Sequence, residues 1–219
     1  ESPLVNDDYS IGKTFAGDPE FAFFLKACGI NVLNVANNHI MEHGKQGFLN
    51  TIKALNNSDI EVIGNVKEAK VNVIYKNIQN LKFAFAGFSN VDLCFINNDN
   101  YFAVLNEENV IKTIKEMKEN KAELIILCFH WGNEYIHVPS LDQRKMAYKF
   151  IENGANIIAG HHPHVIQPYE KYKNGHIFYS LGNFMFDFIH SNKIGVGMCA
   201  SISIQEKLLT NVFLKGVKL

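Results

Sequence analysis

Three short polar clusters in this 219-residue chain carry residue types able to hold a divalent metal ion: Asn37-Asn38-His39, His130-Trp131-Gly132-Asn133-Glu134, and His161-His162-Pro163-His164. Together they contain five of the nine histidines. Imidazole nitrogen combined with amide or carboxylate oxygen suits zinc, manganese or iron, and disfavours metals that select thiolate. The sharpest piece is the pair His162 and His164, because a short turn restricted by Pro163 can aim both rings at one ion or at a metal pair. An isolated His-Pro-His is as readily a surface turn. What favours a metal or anion site is that each cluster directly follows a buried-looking apolar run, and ligands of open α/β sheets gather at the carboxyl ends of strands.

The individual roles divide further. Asn38, His130, His162 and His164 are candidate metal ligands. His39 is either another ligand or a general acid beside the metal, with Asn38 supplying an amide oxygen. Glu134, four residues after His130, can orient a ligand histidine or act as acid or base; the alternative is a solvated surface carboxylate. Trp131 packs beside the site, against a substrate, or simply under a loop. Asn183, in Leu181-Gly182-Asn183-Phe184 after a further strand, is placed to reach substrate in the same cleft. His161 reads as a spacer, and His43, His137, His176 and His190 as ordinary exposed or hydrogen-bonded histidines. The widely spaced Cys28, Cys94, Cys128 and Cys199 contain no C-x-x-C pair and read as buried free thiols.

Alternating strands and helices must position these clusters. Asp18-Pro19 before Phe21 to Leu25 starts a helix that Gly29 stops. A strand over 31–36 leads into Asn38-His39, and a helix over 44–56 follows with Phe48, Ile52 and Leu55 on one face. Leu81 to Gly87 is a strand, Asn106 caps a helix presenting Val110, Ile111, Ile114 and Met117, and the apolar run from Glu123 to Phe129 ends at His130. Ser140 with Gln143 forms a capping box for the next helix, and a strand from Asn156 to Ala159 delivers the histidine turn. From Ile177 the chain changes to β-like runs over 177–180, 196–204 and 212–217, read as strands of a second sheet. The expectation is one α/β domain spanning 1–219.

Bulk properties narrow the partners. With 21 basic against 22 acidic residues the net charge is -1, so no global field draws the chain to nucleic acid or an anionic membrane, and a polyanion must be captured locally. No apolar run approaches the roughly 20 residues needed to span a bilayer.

Ala36-Asn37-Asn38-His39 followed by Gly44, His130-Trp131-Gly132-x-Glu134-Tyr135, Gly160-His161-His162-Pro163-His164 and Ser180-Leu181-Gly182-Asn183-Phe184 together resemble, in order, the bacterial capsule-synthesis CapA family of poly-γ-glutamate biosynthesis. That family resembles the calcineurin-like metallophosphoesterases, which implies a four-layer α/β/β/α sandwich holding one or two divalent metals (Mn, Fe or Zn). The resemblance assigns Asn38, His130 and His162 to one metal, His164 to the other, Glu1 as the carboxylate between them, and His39 as the acid near the leaving group. The family's first strand, with its Asp, has no counterpart in this sequence, so the sheet is expected to lack that strand.

Two functions follow. One is a metal-dependent hydrolase in which the metal generates a hydroxide nucleophile and His39 protonates the leaving group of a phosphoester. The other is a non-catalytic accessory protein that binds or exports an anionic polymer beside capsule-biosynthesis membrane proteins. A third, blander reading has metal only holding the fold. The resemblance implies an extracytoplasmic place in the bacterial cell envelope.

Overall fold

In the computed structural model of the chain, residues 1–5, 15–91, 101–185, 195–205 and 208–218 are described. Its secondary structure grows from local signals. The Asp18 carboxylate accepts the Glu20 amide at 2.8 Å ahead of α1 (Phe21–Ala27), and Gly29, at φ 88°, turns the chain out of it. It runs into β1 (Val32–Asn34), α2 (Gly44–Asn57) and β2 (Glu61–Ile63). Two minimal strands, β3 (Val66–Lys67) and β4 (Lys70–Val71), form a hairpin, and β5 (Ile74–Ile78) leads to β6 (Leu81–Ser89). Then follow α3 (Glu107–Glu119), β7 (Leu124–His130), α4 (Leu141–Asn153), β8 (Ile157–His161), β9 (Tyr169–Tyr172), β10 (Gly175–Phe178), β11 (Val196–Gln205) and β12 (Leu208–Lys218). The caps read from sequence are present: the Asn106 side chain accepts the Asn109 amide at 2.8 Å, and Ser140 and Gln143 bond reciprocally at 2.9 and 3.1 Å.

The chain divides into two compact units, Glu1–Ile74 with Ala86–Asn109, and Tyr75–Phe85 with Val110–Leu219. In the first, β1 and β2 pair in parallel, joined by α2, whose buried Phe48 and Leu55 close over Val35, Ile40, Ile60 and Val62. Burying such a side chain contributes about 1.5–3 kcal/mol, so this α2 stripe is what fixes the end of β1 where Asn38 and His39 emerge.

The second unit is organised on a mixed six-stranded sheet of order β5-β6-β7-β8-β10-β9, to which β6 contributes its first residues. β7, β8 and β10 run parallel to one another, and β9 is antiparallel to β10. Phe129, Phe150, Ile158 and Phe178 are fully or almost fully buried, and the Phe129 and Phe150 rings meet edge to face at 5.5 Å, tying α4 onto the sheet. The parallel arrangement puts the residues after β7, β8 and β10 at one end of the sheet.

The structure revises several expectations. The strand expected at 177–180 falls instead at 175–178, as β10, and belongs to the main sheet beside β8, while β11 and β12 form the separate antiparallel ribbon expected at the C-terminal end. Strands β2, β3, β4, β5 and β9 were not expected. They are short; the β3–β4 and β5–β6 turns use Glu68-Ala69 and Gln79-Asn80 at positive φ instead of the glycines that would advertise a hairpin, and Lys173 at positive φ precedes Asn174-Gly175 between β9 and β10. Cys28 and Cys199 are exposed, contrary to the expectation of buried thiols, and with the half-buried Cys128 they are free. Cys94 and His190 lie outside the described residues.

Candidate metal centre

Three of the four motifs meet in the second unit. His130 ends β7, and its register partner on β8 is His161, so the next residues of both strands leave the sheet side by side. The Trp131 amide donates to the His161 carbonyl at 3.1 Å, and the Tyr135 amide to the Pro163 carbonyl at 2.8 Å, which tie the two loops together. From the neighbouring β10 come Leu181, whose amide donates to the Gly160 carbonyl at 3.0 Å, and then Asn183.

The histidine turn is strained. His162 has φ 97° and His164 φ 57°, left-handed conformations that cost a β-carbon-bearing residue about 1–3 kcal/mol and persist only where the surroundings over-determine them. The surroundings here do so. Gly160 admits no side chain, since a Cβ would meet the Tyr179 carbonyl and the Trp131 indole nitrogen, which bond to each other at 2.9 Å. His164 Nδ1 donates to Asn183 Oδ1 at 2.9 Å, and the Asn183 amide donates back to the His164 carbonyl at 3.5 Å. The Tyr135 ring stacks on His164 at 6.0 Å between centroids.

Donor atoms of Glu134, His162 and His164 lie within 4.8 Å of one another, and a ring nitrogen of His130 lies within the same distance of one of His162. An ion bound at about 2.0–2.2 Å brings its donors to within roughly 4.4 Å of each other, so closure asks for a few tenths of an ångström from exposed Glu134. The donor chemistry fits a divalent ion. Burial, followed by the neighbouring His162 and His161, pushes the His130 pKa well below that of a free imidazole, and burial holds His161 at about 4. His130 is therefore neutral near pH 7, the form that ligates. The Cys128 thiol is pushed up to about 12 by burial, so near pH 7 it is no thiolate.

Two of the expected substrate contacts sit differently. Trp131 is 0% exposed, stacked on Tyr179 and packed on Phe129, so it braces the loop from behind and offers no face to substrate. Asn183 is 8% exposed with both amide atoms turned to His164.

In the first unit, the Asn34 amide bonds both ways with Ala36 and occupies space that side chains at 64 and 87 would take, which explains glycine at both. The Asn37 side-chain oxygen Oδ1 accepts the His39 backbone amide at 2.9 Å, shaping the turn that presents Asn38 and His39. Asn38 Nδ2 donates to His39 Nε2 at 3.1 Å, and His39 Nδ1 donates to Glu42 at 2.5 Å. The other Glu42 oxygen accepts the Phe15 amide at 3.1 Å, and the Phe15 ring covers His39 at 4.3 Å. His43 is buried and donates to the Phe15 carbonyl at 2.8 Å, an ordinary hydrogen-bonded histidine as expected. Glu1 is exposed at the start of this unit. Glu42 escaped the sequence reading, although its position three residues after His39 in a turn was the available signal.

The family described as Bacterial capsule synthesis protein PGA_cap matches residues 1–188. The chain belongs to that family. It is 38% identical over 172 residues to the capsule biosynthesis protein CapA of Bacillus anthracis, covering 74% of this chain and 42% of that protein. It is 38% identical over 169 residues to the PGA biosynthesis protein CapA of Bacillus subtilis strain 168, covering 74% and 44%. The chain thus spans less than half the length of these relatives. The crystal structure of a 5'-nucleotidase precursor from Thermus thermophilus is similar with a TM-score of 0.63 at 13% identity, covering 91% of this chain and 41% of that one. That likeness speaks for the fold, which is of the metallophosphoesterase type. The grouped histidine and carboxylate donors of this chain suit a divalent ion, and no helix among the described residues is long and apolar enough to cross a membrane.

Proposed function

We propose that the chain is a divalent-metal-dependent hydrolase of the phosphoesterase kind, acting on a phosphoester or related anionic substrate in capsule or poly-γ-glutamate synthesis. The observation that carries this reading is the Glu134, His162 and His164 donor cluster at the carboxyl ends of adjacent parallel strands, with His164 held by Asn183. One or two ions of manganese, iron or zinc suit these donors. When bound, such an ion supplies a Lewis acid and lowers the pKa of water.

The chain's own residues supply the rest. His130, His162 and His164 are the nitrogen ligands, and the family resemblance adds Asn38 and Glu1. His39 is the general acid, with Glu42 as a carboxylate able to stabilise the protonated ring. Glu134 is a ligand on the exposed side, or a base. The substrate's own charge brings it to the metal, since the chain's net charge of -1 provides no steering field. An extracytoplasmic place in the cell envelope, beside membrane proteins of capsule synthesis, accords with the relatives' names.

A second reading has the same centre bind the anionic polymer without cutting it, and is favoured by the relatives being named for biosynthesis. Metal analysis paired with turnover of a generic phosphoester such as p-nitrophenyl phosphate decides between them. The hydrolase reading expects stoichiometric metal, reduced in His162→Ala and His164→Ala, and turnover lost in His39→Ala with metal retained. Stoichiometric metal without turnover on any phosphoester, together with metal-dependent binding of poly-γ-glutamate, would establish the binder instead. Unchanged metal in both ligand variants would refute the site itself.

A further inference from the structure

Asn183 is buried against His164, yet it belongs to a turn gripped by a different element. Gly182, at φ 70°, bridges Gly197 of β11, and the Met198 amide donates to the Leu181 carbonyl at 2.7 Å. Gly197 lies directly against the Asn183 peptide. A Cβ at 197 would overlap the Asn183 carbonyl oxygen and come within 2.7 Å of its carbonyl carbon. The backbone at Gly197 is ordinary extended strand, so nothing but this approach calls for glycine there. Asn183 in turn has its amide orientation fixed, because Nδ2 donates to the His164 carbonyl and Oδ1 is left only as an acceptor. An acceptor facing His164 Nδ1 places the proton on Nδ1 and leaves Nε2 as the ring's donor atom.

We infer that Asn183 is a positioning residue for the metal ligand His164, and that the β11–β12 ribbon sets it in place through Gly197. The inference rests on the metal-centre reading above. It assigns Asn183 to holding one tautomer and one ring orientation of His164 instead of to substrate, and it gives a residue of the ribbon, which touches no ligand atom, a part in metal affinity. A β-strand glycine in close contact with backbone transmits displacement well, because neither partner has a side chain that can swing aside.

The test compares wild type with Asn183→Ala, Asn183→Asp, Gly197→Ala and Gly216→Ala, titrating Zn²⁺ against a chromophoric chelator. It also reads the His164 ring nitrogens by ¹⁵N NMR in metal-free protein. Gly216 is in the same ribbon with nothing within 4 Å of its Cβ position, so its substitution reports any general effect of altering the ribbon. Asn183→Ala and Gly197→Ala are expected to weaken Zn²⁺ binding roughly ten- to hundredfold, the usual effect of losing a ligand's hydrogen-bond partner. Asn183→Asp, which keeps an acceptor, recovers most of the affinity, and Gly216→Ala binds as wild type. Read at a pH where the ring is neutral, the wild-type His164 tautomer carries its proton on Nδ1, and Asn183→Ala releases it to a mixture of tautomers. Wild-type affinity in both Asn183→Ala and Gly197→Ala, or mixed tautomers in the wild type, overturns the inference. If Gly197→Ala fails to fold, the Ala and Asp pair at 183 still decides it. If wild type binds no Zn²⁺, the metal-centre reading falls separately, and the tautomer measurement alone then upholds or overturns the placement of Asn183.

Discussion

Replacing Gly160 by alanine adds one methyl group where the structure has least room for it. The new Cβ would fall on the Tyr179 carbonyl oxygen and within 2.5 Å of the Trp131 indole nitrogen. Trp131 and Tyr179 are among the largest fully buried side chains, so neither can turn away into solvent. Overfilling a packed core costs about 1–3 kcal/mol, and breaking the buried 2.9 Å bond between the indole and the carbonyl leaves two polar groups without each other, costing about 1–3 kcal/mol more. The two penalties overlap, because one displacement relieves both, so a total of roughly 2–4 kcal/mol is expected. Urea unfolding measured by tryptophan emission is the natural assay, since Trp131 is the chain's single tryptophan and reports on the second unit. With a denaturant slope of about 1–3 kcal/mol/M, the midpoint should fall by about 1 M or more, and the native emission should shift to the red. A Gly160→Ala protein within about 0.5 kcal/mol of wild type, with unaltered emission, would refute the account of why glycine precedes the histidine turn.

Two further outcomes follow from the site. Glu42→Gln keeps an oxygen for His39 Nδ1 but removes the charge that steadies a protonated ring; phosphoester turnover should drop by roughly tenfold or more with metal content unchanged, and equal loss of metal would make Glu42 a ligand-supporting residue instead. In metal-free protein, burial holds His161 at about 4, below the unfolded value near 6.5. The unfolded chain therefore takes up protons first, so stability is intact above about pH 6.5 and declines as pH falls toward 4. At pH 5 the loss from His161 is on the order of 1–2 kcal/mol, its partial exposure keeping it toward the lower figure, and His130 adds in the same direction. Urea midpoints at pH 7 and pH 5 check this, and equal midpoints would show that these histidines are not desolvated.

Much of the site was legible because it is built from strand ends. The apolar runs ending at His130 and at Gly160-His161 are β7 and β8, adjacent and parallel, so residues thirty apart in sequence become neighbours for a reason visible in the pattern itself. Caps at Asn106 and Ser140 were readable for a similar reason, since capping is local chemistry. What sequence could not supply was direction. Trp131 is polar at one atom and large, which suits a substrate wall as well as a buried brace, and only the Tyr179 carbonyl in range of its indole N–H distinguishes them. Asn183 lies against His164, but whether its amide faces outward or toward that ring depends on the ribbon contact at Gly197, which no local pattern encodes. The hairpins closed by Glu68-Ala69 and Gln79-Asn80 were hidden because tertiary pairing overrides their weak turn propensity.

Several departures from ordinary folding rules in the second unit gather at one end of its sheet. His162 and His164 take left-handed backbone, His130 is buried with its charge suppressed and its ring 4.8 Å from that of His162, and Gly160 and Gly197 each admit no Cβ against a neighbouring backbone. A chain selected for stability alone would replace a buried histidine pair with apolar residues and relax the turn, gaining several kcal/mol on the usual magnitudes for strain and polar burial. These costs fall at the carboxyl ends of β7 and β8, in the turn after β8 and at the glycine that grips the Asn183 turn, where each also sharpens the aim of an imidazole nitrogen. Left-handed residues elsewhere in this unit, Gln79, Asn80, Lys121 and Lys173, lie in ordinary tight turns; those at His162 and His164 fall on the groups that would surround an ion, which accords with the proposed metal centre.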